Sequence, residues 1–381
     1  MVKGLSADER FNLIARNTEE ILGEKELRGL LEKKEKIKHY IGFEISGKIH
    51  LGSGLMSMMK VKDFMDAGVD CSVFLADWHT WINDKLGGNP EIIKKIAVGY
   101  FKEGMKASLR CVGGNPENLK FVLGSELYHN NDLYWQTMID ISKHTSLSRM
   151  LRSITIMGRK EGGDVDFSKL IYPPMQVADI FIQGVNLVHA GIDQRKAEVI
   201  AIDVAQKLSF CPLLTSKGEQ IKPIAVHHSL ISGLGKPPIW PIPKDKLKDF
   251  LSELKMSKSK PDTCVFIHDS PEEIKRKMNK SFCMEKEIDF NPVLNWVKSL
   301  IFPIKKDLKI KREKKFGGNK LYESYEELER DFASGKLHPA DLKNAVSESL
   351  IEILEPARKH FSSGAPKKML EELEKLLKEF S

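Results

Sequence analysis

The sequence predicts an α/β fold: a parallel sheet covered by helices and followed by a helical C-terminal part. Three observations predict it. Short apolar runs alternate with amphipathic helical stretches as far as residue 228. Residues 131–160 are helical in pattern and lack strands, so they read as an insertion between two halves of the sheet. Beyond Pro271 the pattern changes to capped helices alone.

Taken in order, residues 7–34 read as one amphipathic helical stretch, with Phe11, Leu13, Ile14, Ile21 and Leu22 spaced for one face. A strand is expected at 39–44, a loop bearing Gly and Ser at 45–54, a helix at 55–67 and a buried strand at 71–76. A long helix follows at 91–111 and a strand at 120–123. After the insertion come a helix at 166–183, a strand at 185–190, a helix at 193–208 and a strand at 224–228. Ser270, standing before Pro271 and two glutamates, is a helix-start signal. The α/β part therefore gives way to a helical one near 265–270, and domains are expected at 1–268 and 269–381. Residues 366–380 form an amphipathic pattern whose polar face mixes Glu and Lys, which favours docking on the same chain over a membrane surface.

Composition narrows the class. With 381 residues, 41% apolar and 30% charged, the chain fits a globular protein of two or three domains. No apolar run reaches a membrane span, and the N-terminus turns polar too early for a signal peptide. Five cysteines without a CxxC pair argue against a disulfide framework and a structural zinc, so a reducing cytoplasm is the expected location. The net charge of +7 permits a polyanionic partner. Locally, residues 305–315 hold seven basic residues against two acidic ones, either a solvated face or a contact for nucleic-acid phosphates.

Two motifs carry nucleotide chemistry. SGKIHLGSG, from Ser46 to Gly54, leads from a strand through a glycine turn into a helix, where backbone N–H groups can face phosphate. Gly52 and Gly54 remove side chains from the approach, and His50 adds a donor. Alone it is better read as an ordinary loop. KMSKSKP, from Lys255 to Pro261, offers two lysines and two serines suited to a pyrophosphate whose charge grows as it leaves, or else a solvated lysine loop. The pair, about 200 residues apart and placed before a helical domain, is far more specific than either alone.

Together the motifs resemble the signature pair of class I aminoacyl-tRNA synthetases, and the chain resembles the archaeal-type tyrosyl members of that family over most of its length. The resemblance is carried by YIGFEISGKIHLGSGLM (40–56), VFLADWHTWINDKLGG (73–88), LIYPPMQVADIF (170–181), HAGIDQRK (189–196), KMSKSKP (255–261), VFIHDSPEEIKRKM (265–278), KFGG (315–318) and LHPADLKNAV (337–346). It implies a Rossmann-like catalytic domain with a dimer-forming helical insertion and an α-helical anticodon-binding domain, hence a homodimer. The family's first motif ends in His, and Ser53 stands there instead.

The same resemblance implies a site. Tyr40 and Asp179 would hold the phenol OH of tyrosine, Tyr40 as donor and Asp179 as an ionised acceptor. Tyr172 and Gln176 would bind its α-amino group, with help from Gln194. Tyr172, Gln176 and Asp179 stand at i, i+4 and i+7, one helix face. His50, Gly52, Ser53, Lys255 and Lys258 would act on the phosphates. Gly42, Glu44, Gly191, Asp193, Met256, Ser257 and Ser259 would complete the ATP site, with Asp193 on the ribose. ATP would be a substrate that brings Mg2+, with no protein metal site. Phe316, His338 and Asp341 would read the anticodon of tRNA(Tyr), and Arg152, Arg195 and Lys196 its acceptor end. Singly, several have plainer explanations: Tyr172 as core, His338 as a helix cap before Pro339. Three other activities compete. A tryptophanyl enzyme shares both motifs, although indole needs no matched donor. A coenzyme nucleotidyltransferase needs no helical anticodon domain. A non-catalytic RNA-binding derivative needs no intact lysine loop.

Overall fold

A computed structural model of the chain describes residues 4–158, 166–237, 239–240 and 254–380. Positions 159 and 160 of the expected insertion, and residues 1 and 381 at the ends of the expected domains, lie outside them. The core is a six-stranded sheet in the order β1-β6-β5-β2-β3-β4. Its strands are β1 Glu20–Leu22, β2 Lys38–Phe43, β3 Asp70–Leu75, β4 Lys120–Leu123, β5 Leu187–Gly191 and β6 Ile224–His228. β2 through β6 pair in parallel, as the alternation of strands and helices requires. The strand order reverses between β2 and β5. In an open parallel sheet the crevice at such a switch point, outside the C-terminal strand ends, is where ligands bind.

Two local expectations fail. The stretch 7–34 is not one helix: helices Ala7–Ala15 and Glu24–Glu32 flank β1, which pairs antiparallel with β6. Asn17 at φ 56° and Gly23 at φ 88° break the helical path on either side of Glu20–Leu22, so Ile21 and Leu22, which fit a helical face in the sequence, serve an edge strand. The C-terminal part is also not purely helical. The basic run contains β7 Leu308–Ile310, paired antiparallel with β8 Lys320–Tyr322. Leu308 and Ile310 are buried and Lys309 points out, the period-2 alternation that the lysines mask in the sequence.

The expected long helix at 91–111 runs as Pro90–Ile96 and Lys102–Cys111 joined by a π-turn at Ala97–Phe101. The helix Ser168–Ile182 carries Pro173 and Pro174 inside it. Ser270 caps the helix Pro271–Lys280 by accepting from the Glu273 N–H, as its sequence predicts. The largest apolar cluster contains Ile49, Leu55 and Ile267 and continues through Trp296 and Leu300 to Val346 and Leu350, tying the sheet to the C-terminal helices. The last helix, Gly364–Glu379, docks back on the chain with Leu373 fully buried. Glu374 pairs with Lys48 at 2.5 Å, and Leu377 reaches the mouth of the cavity described next. No described helix is long and apolar enough to cross a membrane.

Candidate active site

The C-terminal ends of β2, β3, β5 and β6 open into one cavity of about 950 Å³. Every residue expected to touch tyrosine, ATP or its phosphates lines it. The alternation of β2 explains the inner wall. Tyr40, Gly42 and Glu44 lie two apart and face the same side. A Cβ at Gly42 would sit 2.7 Å from the Tyr40 hydroxyl, so only glycine lets that ring lie along the strand.

Asp179, projecting from the helix Ser168–Ile182, is fully buried at the inner end. Its Oδ1 accepts from the Tyr128 O–H at 3.0 Å. Its Oδ2 has no hydrogen-bond partner among the described residues, and neither has His79 Nε2, 3.7 Å away. Burial pushes the Asp179 carboxyl well above the usual carboxylate range. Against the expectation of an ionised acceptor, desolvation outweighs the help of Tyr128 and Tyr134. Burial also holds His79 neutral, at about 3. His79 and Tyr128 received no role from the sequence, although His79 stands inside the stretch 73–88. Nothing in a lone HT dipeptide announces that its helix turns the ring toward Asp179.

Glu44 was expected beside ATP. It lines the cavity, where its Oε1 accepts from the Tyr172 O–H at 2.8 Å and Asn83 Nδ2 donates to both carboxylate oxygens, at 2.9 and 3.1 Å. Gln176 lies one turn along the same helix and faces the cavity. Gln194 Nε2 donates to the Ile156 carbonyl at 2.9 Å, which ties the β5 end to the insertion.

The two signature segments meet physically. Ile49–Leu51 pairs with Val265–Ile267: the Leu51 N–H donates to Val265 O at 3.0 Å and the Ile267 N–H to Ile49 O at 3.1 Å. His50 Nδ1 accepts from the N–H groups of Gly52 and Ser53, at 3.1 and 3.3 Å. Burial and the nearby Lys258 and Lys255 hold this ring neutral, at about 3. With Nδ1 accepting, its single proton sits on Nε2, leaving an N–H donor for the cavity. The Ser53 hydroxyl lies 3.3 Å from His50 N and 3.4 Å from His50 O, so it is engaged with its own turn. The lysine loop folds over the opening. Met256 N donates to Ile231 O at 2.8 Å, Lys255 Nζ pairs with Asp193 at 2.9 Å, and Lys258 Nζ donates to Ser46 Oγ at 2.8 Å.

These features describe a family. A model of class I tRNA synthetases (W and Y) matches residues 32–355. The chain belongs to this class I tRNA synthetase family. It is 57% identical over 360 residues to the tyrosine–tRNA ligase of Thermococcus kodakarensis, covering 94% of this chain and 96% of that one. Its structure resembles tyrosyl-tRNA synthetase complexed with L-tyrosine from Pyrococcus horikoshii, with a TM-score of 0.93, 54% identity, and coverage of 97% of this chain and 100% of that one. A tryptophanyl-tRNA synthetase from Aeropyrum pernix superposes with a TM-score of 0.66 at 17% identity, which shows a shared fold alone.

The residues expected at tRNA lie outside the synthetase cavity. Lys196 Nζ donates to the Arg152 carbonyl at 2.9 Å, so these two are neighbours, whereas Arg195 pairs with Glu20 at 2.7 Å. Phe316 is 61% exposed on the β7–β8 loop, with Lys315 Nζ 4.9 Å from its ring centre. His338 caps the helix Pro339–Ile353, its Nδ1 accepting from the Ala340 N–H at 3.2 Å. Arg312, missed in the sequence among many lysines, donates to Gly318 O and Lys336 O and lies 4.0 Å from Asp341. It thereby ties the Phe316 loop to the start of the His338 helix.

Proposed function

We propose that the cavity binds tyrosine at its inner end and ATP at its mouth, joins them as tyrosyl-adenylate, and passes the tyrosyl group to the 3′-terminal adenosine of tRNA(Tyr). The buried Asp179 Oδ2 carries the reading. It and His79 Nε2 line the cavity with Tyr40 and have no partner among the described residues, and a phenolic oxygen can donate to one group and accept from another. An indole offers a single donor and leaves the remaining polar capacity unmet.

The tyrosine carboxylate is ionised at neutral pH, so the first step needs no general base. One carboxylate oxygen attacks the α-phosphorus, the bond to the bridging oxygen breaks, and pyrophosphate departs with the magnesium that accompanied ATP. The chain's contribution is alignment and charge. His50 Nε2–H faces the phosphates, its ring held by the Gly52 and Ser53 N–H groups that donate to Nδ1, and Lys255 and Lys258 follow the leaving pyrophosphate. Gly191 and Asp193 take the ribose. In the second step the 2′-OH of the terminal adenosine attacks the mixed anhydride and AMP leaves. The expected result is ATP–pyrophosphate exchange that depends on tyrosine. Exchange with tryptophan and none with tyrosine would overturn the assignment.

The C-terminal domain, from residue 269, would present Phe316, His338 and Asp341 to the anticodon, with Arg312 fixing their spacing. Arg152, Arg195 and Lys196 would meet the acceptor end. Ile139 and Leu147, on the insertion helices Asp132–Lys143 and Leu147–Ser153, are 55% and 65% exposed, with Leu133 and Leu151 exposed nearby. Exposed apolar side chains on these two helices fit a subunit interface of a homodimer. The double change Ile139→Lys, Leu147→Lys is expected to halve the mass seen by light scattering. A parent protein that already runs at the mass of one chain would sink the dimer.

A further inference from the structure

Three histidines on adjacent strands form a buried ladder that the reaction scheme above does not use. His39 is on β2, His189 on β5 and His228 on β6. His39 pairs with Leu187 and His189 with Val226, so each step crosses one strand and climbs two residues toward the C-terminal edge. The three rings therefore share one face of the sheet, opposite to Tyr40. His39 Nε2 lies 3.3 Å from His189 Nδ1, and His189 Nε2 lies 2.7 Å from His228 Nδ1. His39 and His189 are 1% exposed. His228, at the top, lines the cavity, with its Nε2 3.7 Å from where a Cβ on Gly191 would stand and with the Asp193 carboxylate near.

The direction of the ladder follows from counting protons. Burial holds His39 near 3 and His228 near 4, and pushes His189 well below the ordinary imidazole range, so each ring is neutral and carries one N–H. Two arrangements satisfy both contacts. In one, His39 donates to His189, His189 donates to His228, and His228 shows an Nε2–H to the cavity. In the other every bond is reversed and His228 shows a bare Nε2. His39 Nδ1 has no partner among the described residues. The reversed arrangement would thus bury an unpaired N–H, the rarer kind of orphan. It would also turn a lone pair toward the Asp193 carboxylate. Both points favour the first arrangement.

We propose that His228 donates an Nε2–H hydrogen bond to the adenosine part of ATP, and that His189 and His39 are positioning residues that fix the proton on that nitrogen. This rests on the reading above that the mouth of the cavity takes ATP. The ladder ties the His228 tautomer to those of His189 and His39, so the favoured arrangement sets the donor before the nucleotide arrives.

The test has two arms. In 15N-histidine-labelled protein, the ring coupling pattern of His228 is expected to show the proton on Nε2 in the free enzyme and a shift of that resonance on adding ATP. A proton on Nδ1 would overturn the proposal without any mutation. In the pyrophosphate exchange assay, His228→Ala is expected to raise the KM for ATP about fivefold, with the KM for tyrosine unchanged. His228→Gln, which keeps an N–H donor, is expected to recover most of the loss. In the Gln background, His189→Phe is expected to add no further change in the KM for ATP, because an amide needs no ladder to orient its donor. Equal changes in both KM values would mean a structural role and would overturn the proposal. Absence of tyrosine-dependent exchange in the parent protein would overturn the activation reading itself, whereas normal exchange with an ATP KM indifferent to His228 would overturn the ladder alone.

Discussion

Asp179→Ala is expected to lower kcat/KM for tyrosine in pyrophosphate exchange by about a hundredfold, because a hydrogen bond to a buried carboxyl and the orphans its removal leaves cost about 3 kcal/mol together. The change would strand the Tyr128 hydroxyl, which donates to Oδ1, as well as the substrate oxygen. Selectivity separates this from simple damage. The parent site should reject phenylalanine, which would leave the buried Asp179 Oδ2 and His79 Nε2 without a partner. In the variant the ratio of tyrosine to phenylalanine turnover should collapse toward the value expected from shape alone. An unchanged ratio, or an unchanged KM for tyrosine, would remove Asp179 from the recognition of the phenol. His79→Phe gives a milder second reading, since it removes one of the two orphans and keeps the ring edge that packs against Tyr172.

Much of this architecture is legible in the sequence because local pattern and tertiary role agree. β2 through β6 are short apolar runs between helical stretches, and each forms where its pattern places it. The face shared by Tyr172, Gln176 and Asp179 follows from helical spacing and survives two internal prolines. The losses have a common cause. β1 is three residues long and gains its hydrogen bonds from β6, about 200 positions away, so no local window announces it. β7 hides its alternation under lysines. The state of Asp179 depends on how much water surrounds it, which spacing cannot reveal, and burial disfavours the charge that an aspartate ordinarily carries. The histidine ladder combines residues 39, 189 and 228. Each is unremarked in its own strand, and only the strand order makes them neighbours.

Lys258 decides the other large effect. Its ammonium reaches across the cavity mouth to Ser46 Oγ at 2.8 Å, where the pyrophosphate would leave. Lys258→Ala is expected to slow adenylate formation by about two orders of magnitude, the scale of one preorganised charge removed from a developing anion. The dissociation constant for tyrosine should stay within twofold, because the phenol end of the cavity is untouched. A comparable loss of tyrosine affinity would mean that the loop shapes the amino-acid pocket instead. The same lysine carries a pH signature. Burial lowers its ordinary value to about 8, an effect only partly offset by Glu44. A lysine so placed is charged below that pH and neutral above it. Since kcat/KM for ATP reports the free enzyme, it should fall about tenfold per unit as pH rises beyond about 8. Arginine stays charged throughout this range, so Lys258→Arg should lower the plateau yet remove the fall. If the alkaline limb persists with arginine in place, the titrating group is another one and the leaving pyrophosphate is met by a different cation.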